Sequence, residues 1–366
     1  MLPVLAGVTG NTTGNNRVSI RGRSEYYFIH RSSKQHKRGC GCFAMSRVLF
    51  PVLIGALCGA GCTDGNRQQA VADVVKQISK GNLKTHVETL TQDGPRSVND
   101  RQATDHTVGY IKSLLSGYGY QPMEEALGRD TTRTGNSNSF FNIIAEQRGG
   151  GDSTEILELG AHYDTVDDSP GADDNTSGVA AILEIARVLS GVETLATVRF
   201  CFFALEEHGR VGSYHHVEQL RNKGEEPDGA IILEMIGYAT DRPDSQATPA
   251  RIPLLFSPPT TGNFIAVVGN LRSGGLGNRF ERAAKQYVPA LPYFSANRVG
   301  GFFKDALRSD HKPYWDAGYR AIMLTDTANF RNPHYHKASD VPDTLNYDFL
   351  HRVTQAITAT LMNWGG

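Results

Sequence analysis

Downstream of residue 62 the chain has a single cysteine, Cys201, so no disulfide framework can hold the body together. There is no apolar run of the about 20 residues needed to cross a bilayer. The longest, Val48 to Gly61, has fourteen residues and contains Pro51. Charge of one sign is also missing, because the net charge is −1 and offers no case for nucleic acid. No Gly-x-Ser-x-Gly elbow appears, and no phosphate-cradling glycine loop with lysine, which sets aside serine hydrolases and nucleotide enzymes.

The neutral total conceals an asymmetry. Residues 1–47 carry eight Lys/Arg against Glu25, a net of +7, which leaves −8 for the rest of the 366 residues. Met45-Ser46-Arg47 followed by the apolar run and a small-residue exit are the parts of a secretory signal. The exit, Cys58-Gly59-Ala60-Gly61-Cys62, resembles a bacterial lipoprotein cleavage site, with Gly59 where such sites usually carry Leu. An exported protein is expected, secreted or held in the cell envelope by a lipid anchor at Cys62. Residues 1–44 precede the signal without periodicity, so translation is expected to start at Met45. The signal then occupies 45–62 and a single domain about 66–366.

In the body, apolar runs alternate with helical spacing. Helices are expected at 68–79, 102–116, 177–189, 212–222, 275–287 and 346–363. Strands are expected at 140–145, 156–160, 198–204, 230–233 and 321–324. Buried strands alternating with helices predict an α/β fold, a three-layer sandwich with a mostly parallel twisted sheet and helices on both faces. The proline-bearing stretch 240–263 reads as a rim insertion.

Three of these strands run straight into chemistry: Gly160-Ala161-His162-Tyr163-Asp164, Ala204-Leu205-Glu206-Glu207-His208 and Leu233-Glu234-Met235. A polar loop, Gly171-Ala172-Asp173-Asp174-Asn175-Thr176-Ser177-Gly178, opens a helix, and Asn332-Pro333-His334-Tyr335-His336 to Asp340 lies far downstream. Taken singly, Asp173 or Asp174 could merely cap that helix, and a Glu-Glu pair could be a solvated loop. Parallel strands, however, bring their carboxyl ends to one edge, where ligands bind. Imidazoles and carboxylates gathered there suit a borderline metal such as zinc.

Over Asn138 to Trp364 the chain resembles the co-catalytic zinc exopeptidases of the leucyl aminopeptidase and aminopeptidase Y group, on five ordered motifs. The resemblance implies two zinc ions. His162 and Glu234 would hold one, Glu207 and His336 the other, and Asp173 would bridge both. Glu234 is a departure, because leucyl aminopeptidase has Asp there. The resemblance makes Glu206 the general base, and a cis Asp173–Asp174 peptide is expected. Asp164, two residues after His162, can accept the other imidazole N–H, with Asp340 in a similar role near His336. Within Ser309-Asp310-His311, also a family pattern, Asp310 and His311 are expected as active-site wall or oxyanion support. Tyr163 and Tyr335 are expected to pack.

The activity implied is removal of N-terminal residues from peptides. The resemblance also reaches glutaminyl cyclase, which closes an N-terminal Gln at one zinc, and carboxypeptidases or dipeptidases of the same fold. Non-catalytic modules such as the transferrin-receptor ectodomain form the remaining alternative, but such modules have typically lost ligands.

Overall fold

Eight strands and eight α-helices order the residues that the structure, a computed structural model, describes: 64–127, 140–150, 153–248 and 257–364. The expected leader 1–44 and signal 45–62 lie outside them. No helix among the described residues is long and apolar enough to cross a membrane.

The chain begins with three helices, α1 (Asp64–Val75), α2 (Lys80–Thr91) and α3 (Arg101–Gly117). Ser79 caps α2 by accepting the Asn82 N–H, and Asp100 caps α3 through the Ala103 N–H. Strands β1 (Met123–Ala126), β2 (Phe141–Gln147) and β3 (Ile156–His162) follow, then α4 (Gly178–Leu189), β4 (Thr197–Phe203), α5 (Val211–Lys223) and β5 (Gly229–Glu234). The last part runs β6 (Ile265–Gly269), α6 (Gly274–Tyr287), β7 (Tyr293–Ala296), α7 (His311–Asp316), β8 (Ala321–Thr325) and α8 (Tyr347–Met362).

The sheet order is β1-β2-β4-β3-β5-β8-β6-β7. Its centre, β4-β3-β5-β8, is parallel as expected. The β1–β2, β2–β4 and β8–β6 pairs are antiparallel, so the whole sheet is mixed. Side chains of a strand alternate between faces. Ile143, Leu159, Phe200, Phe202 and Ile231 pack on one face with residues of α4, α6 and α8. Ile144, Cys201, Phe203 and Ile232 pack on the other with Val217 and Leu220 of α5 and Tyr314 of α7. Both faces are therefore covered, which explains why these strands read as unbroken apolar runs.

The first expected helix, 68–79, ends sooner, because the chain breaks at Val75 and restarts as α2 behind the Ser79 cap. Strands β1, β6 and β7 and the short helix α7 carried too little periodicity to be expected. Each has four to six residues, less than two periods of a helix or three of a strand.

Candidate metal centre

Because β4, β3 and β5 are adjacent and parallel, their carboxyl ends meet. His162 is the last residue of β3, Glu234 the last of β5, and Glu206-Glu207 follow β4 by three residues. His162 Nε2 lies 3.5 Å from Glu234 Oε2 and 3.4 Å from Asp174 Oδ1. His336 Nε2 lies 3.2 Å from Asp174 Oδ2 and 3.2 Å from Glu207 Oε1. Two donor groups result, His162–Asp174–Glu234 and Asp174–Glu207–His336, with one donor atom per residue and all atoms of a group within 4.8 Å. Asp174 belongs to both and gives one oxygen to each.

Asp174, not Asp173, is the residue that lies between the two groups, one position along from the sequence expectation. Asp173 turns inward, where its carboxylate accepts the Gly237 N–H at 2.8 Å and the Asn332 side-chain amide at 2.7 Å. It also faces Asp326, and burial pushes both of these carboxyls upward. The cis peptide is likewise displaced, at Asp174–Asn175.

The surrounding groups fix the donors. Asp164 accepts the backbone N–H of Glu206 at 3.0 Å and of Glu207 at 3.2 Å, tying the Glu-Glu turn to β3. Its backbone oxygen lies 3.1 Å from His162 Nδ1 and its carboxylate 3.5 Å away, so the expected role beside that imidazole is joined by a second. Asp340 does not stand behind His336. Its carboxylate accepts the N–H groups of Asp173 and Asp174, at 3.0 and 3.1 Å, and clamps the bridging loop instead. Ser309 donates to Glu234 Oε2 at 2.6 Å. Positive φ occurs at the donor His336 (56°) and at Leu205 (60°) and Met235 (49°), which adjoin Glu206 and Glu234, strain of the kind concentrated at functional sites.

Asp310 is fully buried and accepts from Ser213 on Oδ1, while Oδ2 has no hydrogen-bond partner. It stands near His162 and Glu234, as a wall residue should, and burial pushes it up to about 7. His311 does not join the wall: Nε2 bonds the Ala306 carbonyl at 2.7 Å and the ring packs on Trp315. Burial holds it neutral, at about 4. Tyr335 packs as expected, stacked on His336 with ring centroids 3.8 Å apart.

Sequence patterns gave no sign of Arg96. Its buried guanidinium donates to the carbonyls of Leu90, Tyr163, Pro170 and Gly171 and to Thr176 Oγ1, bracing the bridging loop from behind. Only tertiary structure unites such scattered acceptors. Asn332 and Asp326 were missed for the same reason.

The donor set suits divalent cations. His162 Nε2 and Asp174 Oδ1 are buried without a hydrogen-bond partner. Burial and the Asp174 charge push Glu207 up to about 7, and burial pushes Glu206 well above the carboxylate range. Burial opposes the Asp174 charge too, but the facing imidazoles of His162 and His336 hold it well below that range. Carboxylates crowded in this way need positive charge beside them. A third group of potential donors, Glu158–Cys201–His216, lies on the other face of the sheet. Its Glu158 is already bonded to Arg199 Nη1 at 2.7 Å and Tyr314 OH at 2.6 Å, which makes it a buried ion network.

Residues 142–361, well over half of the chain, match Peptidase family M28. An Escherichia coli relative named Uncharacterized protein YfbL is 34% identical over 309 residues, 80% of this chain and 91% of that protein. A Pyrenophora tritici-repentis protein named a probable zinc metalloprotease is 24% identical over 332 residues, 79% of this chain and 75% of its own. A solved leucine aminopeptidase precursor of Bacteroides thetaiotaomicron superposes with TM-score 0.62 at 19% identity, covering 78% of this chain and 98% of that one. Glutaminyl cyclase of the same organism gives 0.61 at 18%, with 78% and 98% covered. At these identities the two structures share the fold alone. The family match, carried over the same residues that build the donor groups, shows that the chain belongs to Peptidase family M28 and is a metal-dependent peptide hydrolase.

Proposed function

We propose that the chain is a two-zinc aminopeptidase that releases N-terminal residues from peptides. One observation carries this reading: the Asp174 carboxylate lies between two complete donor groups. His162 and Glu234 would hold one ion, Glu207 and His336 the other, and Asp174 both. Three protein ligands per ion leave positions open, as catalytic rather than structural sites do. The zinc named for the Pyrenophora relative is in keeping with this donor set.

Bound there, two cations would supply Lewis acidity and a nucleophile at neutral pH. The remaining work falls to the chain. Glu206 is buried, and burial raises its proton affinity, which suits a group that takes a proton from the attacking water and returns it to the leaving amine. Asp164 orients Glu206 through its backbone, and Ser309 orients Glu234. Two donor groups favour this reading over a one-zinc glutaminyl cyclase.

The test is hydrolysis of aminoacyl-p-nitroanilides, with chelator and zinc readdition. Release that chelator abolishes and zinc restores is the expected result. Ammonia from an N-terminal Gln peptide, without peptide-bond cleavage, would replace the reading with a cyclase, and cleavage confined to C-terminal residues or dipeptides would replace it with those activities. Export, with a lipid anchor at Cys62 and translation from Met45, belongs to the same proposal. Mass spectrometry of the native N-terminus tests it, and peptides from residues 1–44 would overturn that part.

A further inference from the structure

We infer that the edge of the sheet opposite the metal centre docks on anionic phospholipid, with Arg67, Arg279, Arg282, Lys285 and Arg298 meeting the headgroups and Leu271 and Phe302 entering the interface. Docking in this pose extends the export proposed above and turns the catalytic edge away from the bilayer.

Strand direction places these residues. Glu234 and Thr325, paired with each other, close β5 and β8 at the metal centre. The same strands begin with Gly229 and Ala321 at the opposite edge. The head of α6 is tied there. Ser273 Oγ accepts the Ala321 N–H at 3.1 Å, and a Cβ on Gly229 would meet Leu276 at 3.0 Å and Trp364 at 3.5 Å. Because β6 runs antiparallel to β8, its last residue, Gly269, pairs with Ile322 and delivers Leu271 to this edge too. The chain after β7 returns to the same place, where Arg298 lies against Gly274 and Gly301 against Asn270. The first turn of α1 joins them, because Arg67 donates to the Trp364 carbonyl at 3.4 Å and lines one groove with Arg279 and Arg282.

Residues 48–366 total −8, so the body as a whole is repelled by an anionic membrane. This edge departs from that balance. Arg279 stacks over the Trp364 ring at 4.5 Å, Arg282 donates to the Asn278 carbonyl at 3.4 Å and Arg298 to the Asn297 side-chain oxygen at 3.5 Å, and none of these partners is an anion. Glu281, the acid beside them on α6, is taken up by Ser295 and by Asn297 at 2.8 Å. The neighbouring Arg272 and Arg320 are already offset by Glu226 and Asp228, at 3.5 and 3.6 Å. Clusters of about four to eight Lys/Arg on an amphipathic helix bind anionic lipid, each residue near the surface adding about fivefold in affinity. α6 is such a helix, burying Leu276, Phe280, Ala283 and Ala284 while Arg282 and Lys285 stay exposed. Leu271, 72% exposed, and Phe302, 76%, are the most exposed large apolar side chains among the described residues. Apolar tips beside Lys/Arg are what interfacial segments insert. A lipid on Cys62, two residues before α1, would keep that helix within about 7 Å of chain from the bilayer, inside the about 8 Å reach of surface charge at physiological salt.

The experiment measures partitioning of the full chain onto phosphatidylcholine vesicles with and without phosphatidylglycerol, together with hydrogen exchange of the bound protein. The wild type is compared with Arg279→Glu/Arg282→Glu, with Phe302→Ser, and with Lys80→Glu/Lys84→Glu, which makes the same change of charge on α2 beside Asp348 and Tyr347. The basic residues 1–47 are common to all four proteins, so differences between them report the docking face. On phosphatidylglycerol vesicles, amides 270–275 and 298–303 of the wild type should exchange more slowly. Arg279→Glu/Arg282→Glu should bind at least about tenfold more weakly and Phe302→Ser several-fold more weakly, while the α2 variant stays within about threefold of wild type. Exchange at those amides unchanged by the vesicles overturns the inference, as does equal weakening by the two double variants. Should the arginine variant fail to fold, the wild-type exchange pattern and Phe302→Ser decide in its place. Cleavage and acylation at Cys62 are read from the native N-terminus, so export and docking can fail independently.

Discussion

Asp340 accepts the backbone N–H of Asp174 at 3.1 Å and thereby fixes, from the far end of the chain, the residue that both donor groups share. Its carboxylate also takes the Asp173 N–H, so replacement by Ala leaves two buried amides without partners. Each such loss costs about 1–3 kcal/mol. Asp340→Ala should lower the thermal midpoint and weaken metal binding about 10–100-fold, the usual effect of removing an outer support. Zinc titration against a chromophoric chelator measures this, and unchanged affinity would contradict the clamp.

Asp174 and Asp173 are adjacent and chemically identical, yet their replacement should separate them. Asp174→Asn removes the oxygen offered to both groups, and metal analysis should show both ions weakened. Asp173→Asn sits against Asp326, where one carboxyl is already pushed toward its neutral form. An amide imitates that form in shape, so most of the bound metal should remain. Equal metal loss in both variants would return the bridging role to question.

Glu206→Gln keeps the size of the side chain but cannot accept a proton. It should retain two zinc ions and lose about 10²–10⁴-fold in kcat, with KM little changed. A variant with kcat near wild type would exclude Glu206 as the base.

Two buried histidines give the fold an acid-sensitive range. Burial lowers both His86 and His311 from 6.5 to about 4. Above pH 6.5 neither is protonated, folded or unfolded, and stability owes nothing to pH through them. Below 6.5 the unfolded chain binds protons that the folded chain refuses, so stability falls until about pH 4, by up to roughly 3 kcal/mol for each group. Glu207 and Asp310, pushed up to about 7, act in the opposite direction over the same range, so the histidine contribution is read as a difference between proteins. Urea midpoints at pH 7, 5.5 and 4, taken with excess chelator, should show His311→Gln gaining stability relative to the wild type as the pH falls, and a constant difference between the two would count against the assignment.

Much of the molecule was legible because each signal was local. The strands β3, β4, β5 and β8 are short apolar runs buried on both faces, and their ends carry His162, Glu206-Glu207 and Glu234 directly. Those positions follow from strand ends and motif order, and the structure gathers the same residues. Edge strands β1 and β7 are half-exposed and only four residues long, too short for a period to stand out. His311 could not be placed from its motif, because its partner is the carbonyl of Ala306, and a backbone acceptor leaves no trace in residue type.

The sequence by itself determined the fold class, the order of the donor residues along the chain and the chemistry they favour, since these depend on residue type and local spacing. Tertiary structure decided which of two neighbouring aspartates lies between the two donor groups. That choice depends on where Gly237, Asn332 and Asp326 receive one carboxylate, leaving the other free to face His162 and His336. It also set Thr325, Ala266 and Phe294 side by side, residues that lie far apart in the chain and become neighbours only through strand pairing.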